Sequence, residues 1–151
     1  MNMRDLYSLD TSILVALVRG GSLGQYIKST YRLSDLENMP LVSIVTHGEI
    51  RSFAKQQKWG NQKLDAIQNI LNNSVTVDIS DETVIQAYVE LDYFLKCVCK
   101  PAIKIDQNDI WIAAAAKATD SILLTTDKHF MNFPVRMLKY EYIDQNIAKR
   151  I

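Results

Sequence analysis

The stretch 41-LVSIVTHGE-49 decides how the chain is read. Leu41-Val42-Ser43-Ile44-Val45 is rich in β-branched and aliphatic side chains, the composition of a buried strand. Pro40 stands just before it, where a strand can begin without a backbone N–H. The pattern then changes. Thr46-His47-Gly48-Glu49 matches a capping box, in which a glutamate three residues on answers the hydroxyl that starts a helix. A helix from Thr46 to about Lys58 follows, and Gly60 breaks it. A strand therefore passes directly into a helix.

The same hand-over recurs on either side. Leu6 to Leu9 is a short strand candidate. Asp10-Thr11-Ser12 follows, then the helical run Ile13 to Val18, stopped by Gly20-Gly21. Ser22 to Asn38 is polar and mixed, a helix and a loop. Asn61 to Asn73 carries Leu64, Ile67, Ile70 and Leu71 at helical spacing. The segment 75-VTVDI-79 is short and alternating. Ser80-Asp81 caps a long helix bearing Val84, Ile85, Tyr88, Leu91 and Leu95, ended by Pro101. A helix from about Gln107 to Ala118 opens with 107-QNDIWIAAAA-116, and 121-SILLTT-126 reads as a buried strand. Asp127 to Phe133 is a turn or short helix, 135-VRMLKY-140 a last edge strand, and the tail from about Glu141 is polar and peripheral. Strands alternating with helices predict a central, mainly parallel sheet flanked by helices: a three-layer α/β/α domain over residues 1–151.

Bulk composition narrows the function. Hydrophobic residues make up 48% and charged residues 23%, a balance that excludes a disordered chain. Lys plus Arg and Asp plus Glu are 17 each, so any contact with nucleic acid needs a local basic patch rather than a global field. Cys97 and Cys99 are the only cysteines, and we read them as reduced thiols of a cytoplasmic protein. No apolar run reaches the length of a membrane span, and the N-terminus lacks a basic-then-apolar signal. A glycine-rich phosphate loop is absent, which argues against nucleotide hydrolysis.

Four carboxylates stand at strand ends or helix starts: Asp10, Glu49, Asp109 and Asp127. Each has a simple reading. Asp10 and Asp127 suit N-caps, Glu49 the capping box, and Asp109 the favourable first turn of a helix that Asp106 caps. In a parallel sheet, however, such positions can share one edge, and capping does not require that. Carboxylates crowded there would repel and raise one another's pKa. A hard divalent cation such as Mg²⁺ or Mn²⁺ among them would relieve that repulsion.

In order and spacing, 9-LDTSILVAL-17, 45-VTHGEIRSF-53, 108-NDIWIAAAAKA-118 and 125-TTDKHF-130 resemble the successive motifs of PIN-domain nucleases. Together with the total length, they resemble the VapC-type toxins of bacterial toxin–antitoxin pairs. The resemblance runs from about Leu6 to Leu138. It implies an acidic Mg²⁺/Mn²⁺ site and endoribonuclease activity with water as nucleophile, leaving 5′-phosphate and 3′-hydroxyl ends. It implies catalytic and metal-binding roles for Asp10, Glu49, Asp109 and Asp127. Thr11, Ser12 and Thr126 match the small polar residues that would orient carboxylates or metal-bound water. A small antitoxin partner is implied, as is a homodimer, for which the helix faces Ile67 to Leu71 or Val84 to Leu95 are candidates. Where many relatives carry another acid two residues after the fourth, this chain has His129, which leaves the number of metals open. The alternative is a PIN-like module that binds RNA or protein without cutting.

Other residues are weighed against plainer roles. Arg51, Lys55 and Lys58 follow Glu49 on a helix and could contact RNA, or could be a solvated face. Lys128 and His129 beside Asp127 could touch RNA or form a surface loop. His47 could be an acid or base, or polar filling of a helix start. Trp59 and Trp111 could stack bases, although Trp111 lies in an apolar helix and suits the core.

Overall fold

The computed structural model describes residues 5–35 and 37–149. The strands are β1 Tyr7–Leu9, β2 Leu41–Ser43, β3 Val75–Val77, β4 Ile122–Thr125 and β5 Tyr140–Tyr142. The helices are α1 Thr11–Arg19, α2 Ser22–Thr30, α3 Ile44–Gln56, α4 Asn61–Asn72, α5 Glu82–Tyr93 and α6 Gln107–Ala118. Short 3-10 turns cover Lys128–Asn132 and Ile147–Lys149, and α5 runs on into a π-helical turn at Phe94–Val98.

All strand pairings are parallel, in the order β3-β2-β1-β4-β5. The pleat sends Leu123 to one face of the sheet and Leu124 to the other, and each joins a separate core. On one side Leu123 packs with Leu91 and Leu95 of the α5 segment and Ala113 to Ala116 of α6. On the other, Leu9, Val42 and Leu124 pack with α1, α2, α3 and α4 through Ile13, Ile27, Ile50 and Ile67. This is the expected α/β/α sandwich, with a wholly parallel sheet.

Helix α6 explains its own sequence. Ile112 and Ala113 to Ala116 are all at most 2% exposed, because the helix is enclosed between α5 and the sheet. A helix hydrophobic all round is a buried helix. Alanines let it lie close to its neighbours. Trp111 stacks on Tyr88 of α5, with ring centroids 4.0 Å apart at 23°, so it is a packing residue.

The opening stretch folds differently from its capping-box reading. Strand β2 stops at Ser43, whose side chain accepts from the Val45 N–H at 3.2 Å and caps α3. Ile44 and Val45 are thus the first turn of the helix, not the end of the strand. Thr46 is fully buried and its hydroxyl has no partner among the described residues. Local propensity favoured a longer strand here, but Ser43 offered an earlier cap. The final strand also moves. The Pro134 carbonyl accepts from the N–H groups of Met137 and Leu138, at 2.9 and 3.2 Å, which turns the segment expected to be the strand. Strand β5 instead occupies Tyr140–Tyr142, and Ile143 after it is buried, so the region from Glu141 starts as sheet rather than as a polar tail.

Most of the apolar residues considered for a dimer contact lie inside the chain, whereas Val89, between Val84 and Leu95, is 58% exposed. Ile67, Leu71, Val84, Leu91 and Leu95 are each at most 5% exposed. Among the described residues no helix is long and apolar enough to cross a membrane.

One glycine sets the approach of α2 to α1. A Cβ at Gly24 would stand 2.4 Å from the backbone oxygen of Ala16, a contact that neither helix can yield without moving. Alanine there gains about 1 kcal/mol of helix propensity but overpacks the junction by about 1–3 kcal/mol. Gly24→Ala is therefore expected to lower stability by about 1–2 kcal/mol in denaturant unfolding. An unchanged or raised midpoint would show that α2 moves freely against α1.

Candidate active site

The sheet order creates one crevice. From β1 the chain steps to β2 and β3 on one side, then returns to place β4 on the other side of β1. In such sheets the crevice beyond the carboxyl ends of the strands, at the point where the order reverses, is where ligands bind. Asp10 directly follows β1, and Asp127 follows the end of β4 by two residues. Helix α3 leaves β2 at the same edge and carries Glu49. Helix α6 runs back down the sheet before β4 rises, so its first turn, with Asp109, also lies at that edge.

Asp10 is 4% exposed yet fully engaged. One carboxylate oxygen accepts from the Thr11 N–H at 2.8 Å, while the other accepts from the hydroxyls of Ser12 and Thr125, at 3.1 and 2.7 Å. Its own N–H donates to the Leu124 carbonyl at 3.1 Å, in line with the parallel ladder. Burial raises its pKa; the hydrogen bonds from Thr125, Ser12 and Thr11 oppose that, and the Glu49 charge adds to it.

Thr11 and Thr125 extend the network to the other acids. The Thr11 hydroxyl donates to one Glu49 carboxylate oxygen at 2.7 Å, and the Asn108 side-chain amide reaches the other at 3.4 Å. The Thr125 hydroxyl, while donating to Asp10, accepts from the Asp127 N–H at 2.9 Å. Asp127 accepts from the His129 N–H at 2.9 Å, and the His129 ring nitrogen Nε2 lies 3.3 Å from the same oxygen.

Electrostatics locate Asp109 relative to the rest. Its pKa is pushed up to about 7, first by burial and then by the charges of Asp10, Glu49, Asp127 and Asp106. Asp10, Glu49 and Asp127 thus all lie near enough to act on the Asp109 charge, as does Asp106. Lysine and arginine are absent from the groups that shift it. Clustered oxygen donors with unrelieved negative charge suit a hard divalent cation and offer nothing to a soft one. Among the described residues no three His, Cys, Asp or Glu side chains form a ready-made cation cage. Asp10 spends its oxygens on hydroxyl and amide donors, so the donor set fits in chemistry and would have to close around an ion.

Capping and clustering coexist. Asp10 caps α1, Asp106 caps α6, and Asp127 caps the 3-10 turn. Glu49 has no cap role, since α3 begins five residues earlier than it, which frees its carboxylate for Thr11 and the crevice. Thr11 and Ser12 touch the acids as the resemblance implied. Thr126 does not: its hydroxyl has only Gln145 as a partner, at 3.5 Å, and its N–H donates to Ser12 at 3.1 Å. The hydroxyl that reaches Asp10 belongs to Thr125, one residue earlier on the alternating strand. Thr125 and Asn108 were both missed. Asn108 gave no signal, but Thr125 stands two residues before Asp127, on the same face.

The expected RNA-contacting cations are elsewhere. Arg51 is about 200° round α3 from Glu49. It lies beside His47 and lowers that ring's pKa, after burial, while the His47 Nε2 atom meets the Thr76 hydroxyl on edge strand β3 at 3.0 Å. Lys55 is one turn beyond Arg51 on the same stripe. Lys128 reaches over the Tyr142 ring, 5.8 Å from its centroid. Trp59 meets Phe53 edge-on at 5.4 Å.

The fold is similar to that of several solved structures. The VapBC2 structure from Rickettsia felis, bound to a DNA fragment from their promoter, matches with a TM-score of 0.74 at 22% identity, over 92% of this chain and 99% of that one. The DNA-bound VapBC of Salmonella typhimurium matches with a TM-score of 0.74 at 16% identity, over 91% and 97%. VapBC-1 of nontypeable Haemophilus influenzae matches with a TM-score of 0.68 at 23% identity, over 91% and 97%. No curated protein matches the sequence. The family model for the PIN domain matches residues 7–135, which hold β1 to β4 and all four acids. With the carboxylates gathered where that sheet reverses its order, the chain belongs to the PIN domain family.

Proposed function

We propose that this protein is a metal-dependent endoribonuclease that hydrolyses RNA phosphodiester bonds, acting in the cytoplasm as the toxin of a toxin–antitoxin pair. The observation that carries the reading is the gathering of Asp10, Glu49, Asp109 and Asp127 at the sheet's switch point, where burial and then the other acids push the Asp109 pKa up to about 7. Mg²⁺ or Mn²⁺ held there would supply a Lewis acid that polarises a phosphoryl oxygen and orients the attacking water. The four carboxylates are the groups that would hold it. Ser12 and Thr125 aim Asp10, Thr11 and Asn108 aim Glu49, and the rigid mount of α6 aims Asp109. The similar solved structures are VapBC complexes, which supports a small antitoxin partner. A homodimer belongs to the same reading.

Removing the Asp10 or Asp109 charge is expected to abolish cleavage. Asp10→Asn and Asp109→Asn should each reduce cleavage of single-stranded RNA by at least about 100-fold, the scale of losing a group that acts on transition-state charge. EDTA should do the same to the unaltered protein, with activity restored by Mg²⁺ or Mn²⁺. Full activity in either variant or in EDTA would remove the assignment.

The crowded acids also make a prediction about stability. Asp109 titrates near 7 when folded and near 4 when unfolded. Between those values the folded chain keeps a proton that the unfolded chain has released, so metal-free stability should fall as pH rises from about 4 to about 7. Above about 7 the penalty is fully present. Because the group is partly solvated, we discount it to about 1–2 kcal/mol. Asp109→Asn should therefore raise the melting temperature at pH 8 without metal by roughly 3–6 °C. It should do so far less at pH 4. Equal shifts at both pH values in calorimetry would mean that Asp109 is not strained by its neighbours.

A further inference from the structure

Arg51 and Lys55 lie round α3 from Glu49, but two other cations line a groove that reaches the acid cluster. A groove of about 460 Å³ runs between α1, α2, α3 and the C-terminal 3-10 turn, lined by Ser12, Arg19, Phe53, Thr126, Gln145 and Lys149 among others. It begins at the acid cluster, because Ser12 donates to Asp10 and accepts from the Thr126 N–H. Its lining includes Arg19 and Lys149 and no carboxylate. Among the described residues neither cation pairs with an acid. Arg19 instead lies over the Phe53 ring, 5.8 Å from the centroid. That contact holds the guanidinium while leaving its N–H donors free.

Phe53 links this groove to a second one. The other groove, about 640 Å³, is lined by Thr11, Glu49, Ser52, Phe53, Gln56 and Asn108 with a few neighbours, so it too borders the acids. Both grooves border the acid cluster, the first through Ser12 and the second through Thr11 and Glu49, so one extended strand could run from one to the other past the carboxylates. The charge differs along that path: Glu49 is the only charged residue of the second groove, and cations are the only charged residues of the first.

We propose that the Arg19–Lys149 groove binds the backbone of single-stranded RNA on one side of the bond to be cut, with Arg19 and Lys149 as positioning residues for a flanking phosphate. The inference rests on the ribonuclease reading and adds the path of the substrate. Charge decides the occupant, since a cationic groove without acids is complementary to a polyanion. Helix α1 spans about 13 Å from Asp10 to Arg19. Arg19 is thus too far along the helix to take the phosphate held at the acids, and takes one further along the strand. Such contacts fix register rather than sequence.

The test uses the full chain carrying Asp10→Asn, so that RNA is bound and not cut. Binding of a fluorescein-labelled single-stranded oligoribonucleotide is followed by anisotropy with Mg²⁺ across a salt series. Adding Arg19→Gln or Lys149→Gln should each weaken binding roughly ten-fold. Each should also lower the slope of log affinity against log salt by about 0.7, the value for one phosphate contact on a single strand. Arg19→Lys should keep the slope. In the otherwise unaltered enzyme, Arg19→Gln should raise KM with little change in kcat. Both residues are exposed, so these changes leave the core intact. Unchanged affinity and slope in the double variant, with cleavage by the unaltered enzyme intact, would overturn the groove assignment and leave the ribonuclease reading standing. If the double variant kept RNA binding but lost a co-expressed partner protein, the groove would belong to a peptide and the proposal would fall. If the unaltered enzyme neither bound nor cut RNA, both readings would fall together.

Discussion

The structure depends on how one buried charge is satisfied. Asp10 lies at the carboxyl end of the first strand, almost without solvent, where an unpaired carboxylate would cost several kcal/mol. Three donors prevent that: a backbone N–H from the helix it starts, a hydroxyl from that helix, and a hydroxyl from the neighbouring strand β4. The same bonds tie β1 to β4 at the place where the sheet changes direction. From there the order spreads outward, through Ser12 to the Thr126 backbone and through Thr125 to the Asp127 backbone. One residue is therefore helix cap, strand tie and site acid.

Stability and chemistry oppose each other around that point. Glu49 and Asp109 are brought to Asp10 and Asp127 although no lysine or arginine is among the groups that shift Asp109, whose pKa burial and those acids push up. What holds it there is packing. Helix α6 is enclosed by α5 and the sheet, and its alanines leave no slack for the first turn to swing outward. Local rules are often broken at functional sites and compensated nearby. Here the compensation is a rigid apolar helix behind a repulsive acidic edge.

Much of this was legible beforehand. The alternation of apolar strands with helices predicted a parallel sheet, in which acids at strand–helix junctions can share one edge. The errors have separate physical causes. Ile44 and Val45 read as strand because β-branching is a local preference, whereas Ser43 supplied an earlier cap. The 135–140 segment read as strand for the same reason, until the Pro134 carbonyl captured two N–H groups and turned it. Thr126 matches the hydroxyl before the last acid in the family pattern, but alternation on a strand points adjacent hydroxyls apart, and Thr125 reaches Asp10. Arg51 and Lys55 were near Glu49 in number and far from it round the helix.

What the sequence determined by itself was the fold class and the placing of four acids at strand ends and helix starts, whose oxygen-donor chemistry underlies the cation we propose. These follow from periodicity and donor chemistry, which are local properties. The tertiary structure alone decided that β4 sits beside β1, that Thr125 and Asn108 serve the acids, and that Arg19 and Lys149 line the groove leading to them. Those depend on contacts between residues far apart in the chain, such as the Thr125–Asp10 bond at a separation of 115. Strand order and helix rotation set such contacts, and no local pattern encodes them.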